Sequence, residues 1–130
     1  MIFKQVFDQK SSTYTYLIAS AEGREALIID PVLENIEDYL RLLNELNLKL
    51  VKVIDTHIHA DHVTGAGKLR DKTKCVTIMG EHTPADTVEI KVKDDEIIDI
   101  DNLKIKSIYT PGHTSDSYSF LLDNLSLIHI

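Results

Sequence analysis

Residues 56–62 read "THIHADH". Three histidines and an aspartate fall within seven residues of a chain that holds six histidines in all. The stretch before them, "LKLVKVID", alternates apolar and polar residues as a half-buried strand does. The stretch after them, "VTGAGKLRDKT", reads as a short helix with Asp61 as its N-cap. The cluster therefore stands on a strand-to-helix turn, where a fold can display polar groups without burying them. Any architecture for this chain has to bring that strand end to an edge with room for four polar side chains.

The spacing points to a cation. In an extended stretch, side chains two apart project to the same side, so His57 and His59 can reach one ion. Asp61 and His62 lie where the chain turns and can aim at a neighbouring position. Imidazole suits zinc and iron, while a carboxylate adds charge and selects harder divalent ions. A second signal lies far along the chain. "YTPGHTSDSYSF" sets His113 on a Pro-Gly turn after another strand, and Pro111 and Gly112 fix the backbone so that one side chain projects at a set angle. His57, His59, Asp61, His62 and His113 are the candidate metal ligands, and Asp61 is also the candidate catalytic residue. Asp30 ends an apolar run before a proline. It reads either as a turn former or as a residue that orients a ligand histidine from behind. His82 and His129 have no such context and read as surface residues.

Around these motifs the chain reads as strands, a helix, a strand, a helix, and then more strands. "IFKQVF", "STYTYLIA" and "ALIID" are early strands, the last stopped by Pro31. Ile36, Tyr39, Leu40, Leu42, Leu43 and Leu46 form a helical stripe. "CVTIMG", "EIIDID", "LKIKSIY" and "SYSFLL" are further strands, and "EHTPADTVEIKVKDDE" is a polar loop enclosing a short one. The order is α/β or α+β with sheet packed on helix. The 130 residues, 43% hydrophobic and 27% charged, fit one soluble domain able to bury a core.

Composition narrows the function. A formal charge of −7, with no lysine-arginine stripe, argues against a nucleic-acid partner. No apolar run approaches the roughly 20 residues that span a bilayer, and the N-terminus lacks the apolar block of a signal peptide. The expectation is a soluble cytoplasmic protein. The single cysteine, Cys75, cannot form an internal disulfide, and within "CVTIM" it reads as a small buried hydrophobe.

The two histidine motifs resemble those of a known family. "THIHADH" is similar to the HxHxDH signature of the metallo-β-lactamase superfamily, and "TPGHT" to its next histidine motif. With "SSTYTYLI", "ALIIDPV" and "THIHADHVTGAG", the chain looks most like the persulfide dioxygenase branch, itself similar to glyoxalase II, from about residue 2 to about residue 123. The resemblance implies an αββα sandwich of two similar halves, of which residues 1–130 would supply the first half plus the following strands. The ending "LSLIHI" departs from the pattern at about Asn124, so residues 125–130 read as a non-native tail of a truncated chain. A further aspartate and a last histidine of the family pattern have no match.

The branch implies one iron(II) per chain, with His57 and His113 as its histidine ligands and His59, Asp61 and His62 as a shell around them. The implied reaction oxidises glutathione persulfide with O₂ to sulfite and glutathione. A glyoxalase II-like reading uses the same residues for two zinc ions, His57, His59 and His113 on one and Asp61 and His62 on the other, and hydrolyses a glutathione thioester. Both imply a small glutathione-derived substrate. A non-catalytic metal-binding fragment is the third reading. Neither substrate identity nor oligomeric state is legible in these residues.

Overall fold

The computed structural model describes residues 1–57, 64–83, 88–112, 114–122 and 126–128. Strands β1 (Ile2–Asp8), β2 (Thr13–Ala19) and β3 (Glu25–Ile29) are followed by a 3₁₀ turn, Leu33–Asn35, and helix α1 (Ile36–Glu45). Strand β4 (Lys49–Ile54), helix α2 (Ala66–Thr73), β5 (Val76–Gly80) and β6 (Ile90–Val92) come next. Strands β7 (Ile97–Ile100), β8 (Leu103–Tyr109), β9 (Tyr118–Leu122) and β10 (Ser126–Ile128) complete the chain. The first six strands form one sheet in sequence order, and the last four form a second in the order β10-β9-β8-β7.

Hairpin connections keep β1, β2 and β3 antiparallel, whereas the crossovers through α1 and α2 make β3, β4 and β5 parallel, with β6 parallel beside them. The second sheet is antiparallel throughout. The C-terminal ends of β3, β4 and β5 therefore share one edge, the edge at which open α/β sheets bind ligands.

Two cores hold three layers together. One lies between the sheets, where Ile18, Leu27, Ile29, Ile54 and Ile78 meet Ile98, Ile105, Tyr118 and Phe120. The other lies between the larger sheet and the helices, where Leu17, Ile28, Leu50 and Val53 meet Ile36, Tyr39, Leu43 and Leu69. The expected helical stripe is the buried side of α1, with Leu40, Leu42 and Leu46 at its half-buried rim. Cys75 belongs to the helix-side core as expected, and burial pushes its thiol pKa up.

Strand β4 carries a bulge. Its pairing with β3 runs Ala26 to Leu50 and then Leu27 to Lys52, so Val51 is the extra residue. Leu50 faces the helices, Val51 packs into the inter-sheet core, and the Lys52 ammonium donates to the Asp99 carbonyl of the second sheet. Two neighbours thus face the same way, and alternation resumes with Val53 towards the helices and Ile54 towards the second sheet. The bulge sets the phase in which the strand reaches Asp55, Thr56 and His57.

The pole away from that edge is tied by Asp101, between β7 and β8. Its carboxylate accepts from Ser20 Oγ, Arg24 and the Glu25 N–H, at 3.2, 3.2 and 3.0 Å. Desolvation alone would raise its pKa, but the Glu25 and Arg24 contacts outweigh it and hold the carboxyl below the usual range. The folded pKa is depressed. This stabilisation is therefore present above the unfolded value of 3.8 and is lost as pH falls through the folded one. Asp101→Asn should accordingly flatten the fall of stability with pH below about 4, as read by denaturant unfolding at a series of pH values. A slope equal to wild type would count against the tie.

The helix after the histidine cluster starts later than the sequence suggested. It spans Ala66–Thr73 with Gly65 at its N-cap, so Asp61 is not the cap. Thr64 Oγ1 accepts the Ala66 N–H at 3.3 Å instead. Residues 126–128, within the stretch read as a tail, pair antiparallel with β9. No described helix is long and apolar enough to cross a membrane.

Candidate metal centre

The chain leaves β4 as Asp55-Thr56-His57, all three buried. Asp55 N–H still donates to Ile78 O of β5, which holds the exit in line with the sheet. Beside it, β3 ends in Asp30, in the left-handed region at φ 55° and 1% exposed. An aspartate tolerates that conformation better than most residues. The Asp30 N–H donates to Ile54 O, and its carbonyl accepts from Thr15 Oγ1 at 2.7 Å. Because Thr15 spends its proton there, Tyr39 Oη donates to Thr15 Oγ1 at 3.0 Å and accepts the Val32 N–H.

The Asp30 carboxylate faces the end of β4. Its Oδ1 accepts the Thr56 N–H and its Oδ2 the Thr56 hydroxyl, each at 2.8 Å. The same hydroxyl lies 2.9 Å from His57 Nδ1. A hydroxyl has one proton, and here the carboxylate takes it. His57 Nδ1 must then be the donor to Thr56 Oγ1, so the neutral form of this ring carries its lone pair on Nε2. Metal-bound histidines are commonly set this way, with one ring nitrogen donating to a fixed partner so that the other can ligate. Of the two readings of Asp30, turn former and orienter, the structure supports both: a left-handed strand end whose carboxylate fixes the His57 ring through Thr56.

The loop that follows is anchored where it returns. Thr64 pairs with Val32 as an isolated bridge, and Gly65 N–H donates to Pro31 O at 2.8 Å. A Cβ on Gly65 would stand 2.7 Å from Ile36 Cδ1 and 3.3 Å from Pro31 Cβ, so the approach to α1 requires glycine.

The turn between β8 and β9 reaches the same edge. Tyr118 N–H donates to Thr56 O at 2.8 Å, joining the start of β9 to the residue before His57. Thr114 Oγ1 gives its proton to Asp116 Oδ1 at 2.6 Å, so Ser117 Oγ donates to Thr114 Oγ1 at 2.7 Å while accepting the Thr114 N–H. Tyr109 Oη donates to Ser115 O at 2.7 Å. His82, read as an incidental surface residue, is exposed, but its ring stacks on Tyr109 at 4.0 Å.

Tyr118 is the largest side chain beneath the edge. Its ring lies on the backbone of Gly80, where a Cβ would come within 2.0 Å of it. Burial raises its phenol pKa, and the charges of Glu81 and Asp94 add to the shift. The hydroxyl is sealed from solvent and, among the described residues, makes no well-formed hydrogen bond, although the nearby Glu81 backbone offsets part of the shift. Such a group costs about 1–3 kcal/mol, a stability deficit placed next to the histidine turns.

Of the five candidate ligands, His57 is the one among the described residues; His59, Asp61, His62 and His113 lie outside them, as does His129. Among the described residues no three metal-ligating side chains converge. What His57 offers nevertheless fits a metal: a buried imidazole whose Nδ1 is held from behind by Thr56, with Nε2 as the atom that can ligate. Sequence reasoning missed Thr56, Asp55, Thr64 and Tyr109. The one cue for Thr56 was a hydroxyl residue immediately before the first histidine.

Comparison with known proteins agrees with this arrangement. Residues 9–129 match the family described as Metallo-beta-lactamase superfamily. The chain is 36% identical over 128 residues to Persulfide dioxygenase ETHE1, mitochondrial, of Bos taurus, covering 98% of this chain and 50% of that protein. It is 34% identical over 109 residues to a probable hydroxyacylglutathione hydrolase of Schizosaccharomyces pombe, covering 82% of this chain and 42% of that one. The crystal structure of ETHE1 from Myxococcus xanthus superposes with a TM-score of 0.90 at 43% identity, covering 95% of this chain and 54% of that chain. The chain thus spans about half the length of the curated relatives it matches. Two sheets face to face with helices outside the larger one, a histidine presented at the C-terminal sheet edge, and a family match over nearly every residue lead to one conclusion: the chain belongs to the metallo-β-lactamase superfamily.

Proposed function

We propose that this chain is the first part of a persulfide dioxygenase that oxidises glutathione persulfide with O₂ to sulfite and glutathione at one iron(II). The observation that carries the reading is the likeness to Persulfide dioxygenase ETHE1, which covers 98% of this chain, against 82% for the hydroxyacylglutathione hydrolase. The fixed tautomer of His57 supports it, because a ready lone pair on Nε2 is what a divalent ion requires. His57 and His113 are the proposed histidine ligands, with His59, Asp61 and His62 around them. An iron(II) held by two histidines and one carboxylate supplies open positions for a persulfide sulfur and O₂. The chain's own contribution is to hold the His57 ring in one orientation and to keep the neighbouring residues Asp55 and Thr56 buried, away from bulk water.

The full-length protein, purified without oxygen, should hold about one iron per chain and consume O₂ when given glutathione persulfide. About two zinc per chain, with hydrolysis of a glutathione thioester and no O₂ uptake, would instead establish the hydrolase reading.

A further inference from the structure

The bulge in β4 leaves Asp55 facing the helices, on the side opposite Ile54. Asp55 is buried, and it is not itself one of the proposed ligands. It accepts the Thr64 hydroxyl, with Oδ1 at 2.8 Å and Oδ2 at 3.0 Å. Thr64 lies nine residues further along. The same Thr64 oxygen accepts the first N–H of α2, while the backbone around it is paired to Val32 and Pro31. His57, His59, Asp61 and His62 all fall in sequence between the two partners. One part-buried hydrogen bond therefore joins the residue at which the chain leaves the sheet to the residue at which it returns.

We propose that Asp55 and Thr64 are positioning residues. Their hydrogen bond is a clasp between the residues that flank the histidine-bearing stretch, and it governs how slowly an ion is released. The inference rests on the reading that this stretch holds a metal. Its physical basis is loop closure. Bringing the ends of a flexible segment together costs conformational entropy, and a segment already closed by its own side chains does not take that cost from the binding of the ion. The clasp also joins the metal stretch to α2, so the helix and the ligands keep one register.

The test uses the full-length protein loaded with cobalt(II), whose visible absorption reports ligand geometry. Thr64→Val keeps the shape and removes the hydroxyl; Thr64→Ser keeps the hydroxyl. Thr64→Val should release cobalt to a chelator ~10–100-fold faster than wild type, the size of effect seen when partners behind metal ligands are removed, with a shifted visible band. Thr64→Ser should stay within ~2-fold of wild type and keep its band, because the clasp survives. Asp55→Ala should release cobalt at least as fast as Thr64→Val, and adding Thr64→Val to it should speed release no further, as expected for two halves of one contact. Release from Thr64→Val as slow as from wild type would overturn the clasp, as would equal release from the serine and valine variants. Failure of the wild type itself to take up cobalt would overturn the metal reading, and the clasp with it.

Discussion

Asp30→Asn is expected to remove most of the metal affinity while leaving the fold nearly intact. The left-handed backbone at Asp30 suits asparagine as well as aspartate, so no strain is introduced. The asparagine must turn its oxygen to the Thr56 N–H, since its amide nitrogen there would set donor against donor. That nitrogen then faces Thr56 Oγ1 and donates to it, where the carboxylate had accepted. The threonine proton swings to His57 Nδ1. The imidazole proton is displaced to Nε2, and a protonated ring nitrogen cannot ligate. One isosteric change thus reverses two hydrogen bonds and disables the coordinating atom. Metal affinity should fall ~10–100-fold, and stability by only about 1 kcal/mol, the worth of one buried hydrogen bond. Nitrogen-15 chemical shifts of His57 in the metal-free protein read the tautomer directly, and competition with a chelator reads the affinity. An Nδ1-protonated ring in the variant, with affinity unchanged, would remove the basis for this relay.

Gly80→Ala is expected to cost the most in stability. The new Cβ would stand 2.0 and 2.1 Å from Tyr118 Cδ1 and Cε1, and 2.8 Å from Cγ. The ring has little room to withdraw. Tyr109 packs on it at 5.3 Å, and its own backbone N–H is held by Thr56 O. Overpacking of a filled core costs about 1–3 kcal/mol, occasionally more, and contact with a fully buried aromatic ring places this change at the upper end. Denaturant unfolding should show that loss, and Tyr118→Val in the same background should recover most of it by opening the space the methyl needs. An alanine variant as stable as wild type, or a double variant no better than the single one, would contradict the packing described.

The sequence made much of the fold legible, for identifiable reasons. Strands β2 and β3 are rich in β-branched and apolar residues, the stripe on α1 has a full face, and Pro31 marks the end of β3. Those are local signals, and the structure follows them. The bulge at Val51 was not legible, because Val51 and Lys52 each suit either face and only the pairing with β3 decides between them. The start of α2 was misplaced because Gly65-Ala66-Gly67 contains weak helix formers, and the residue that supplies the capping oxygen, Thr64, is itself held from a distance by Asp55. The Asp30–Thr56 contact spans 26 residues and exists only because β3 and β4 lie side by side in parallel. Composition and spacing pointed to the histidines; what aims His57 comes from the neighbouring strand.

One extra residue in β4 has a reach beyond its own pairing. Along a strand, orientation is a parity, odd or even, and every later position inherits it. Val51 flips that parity once, six residues before His57, and so assigns Asp55 to the helices and Ile54 to the opposite sheet. Two chains with the same histidine motif but different counts upstream of it would present the motif's residues to opposite layers, even though the motif itself would look identical on paper.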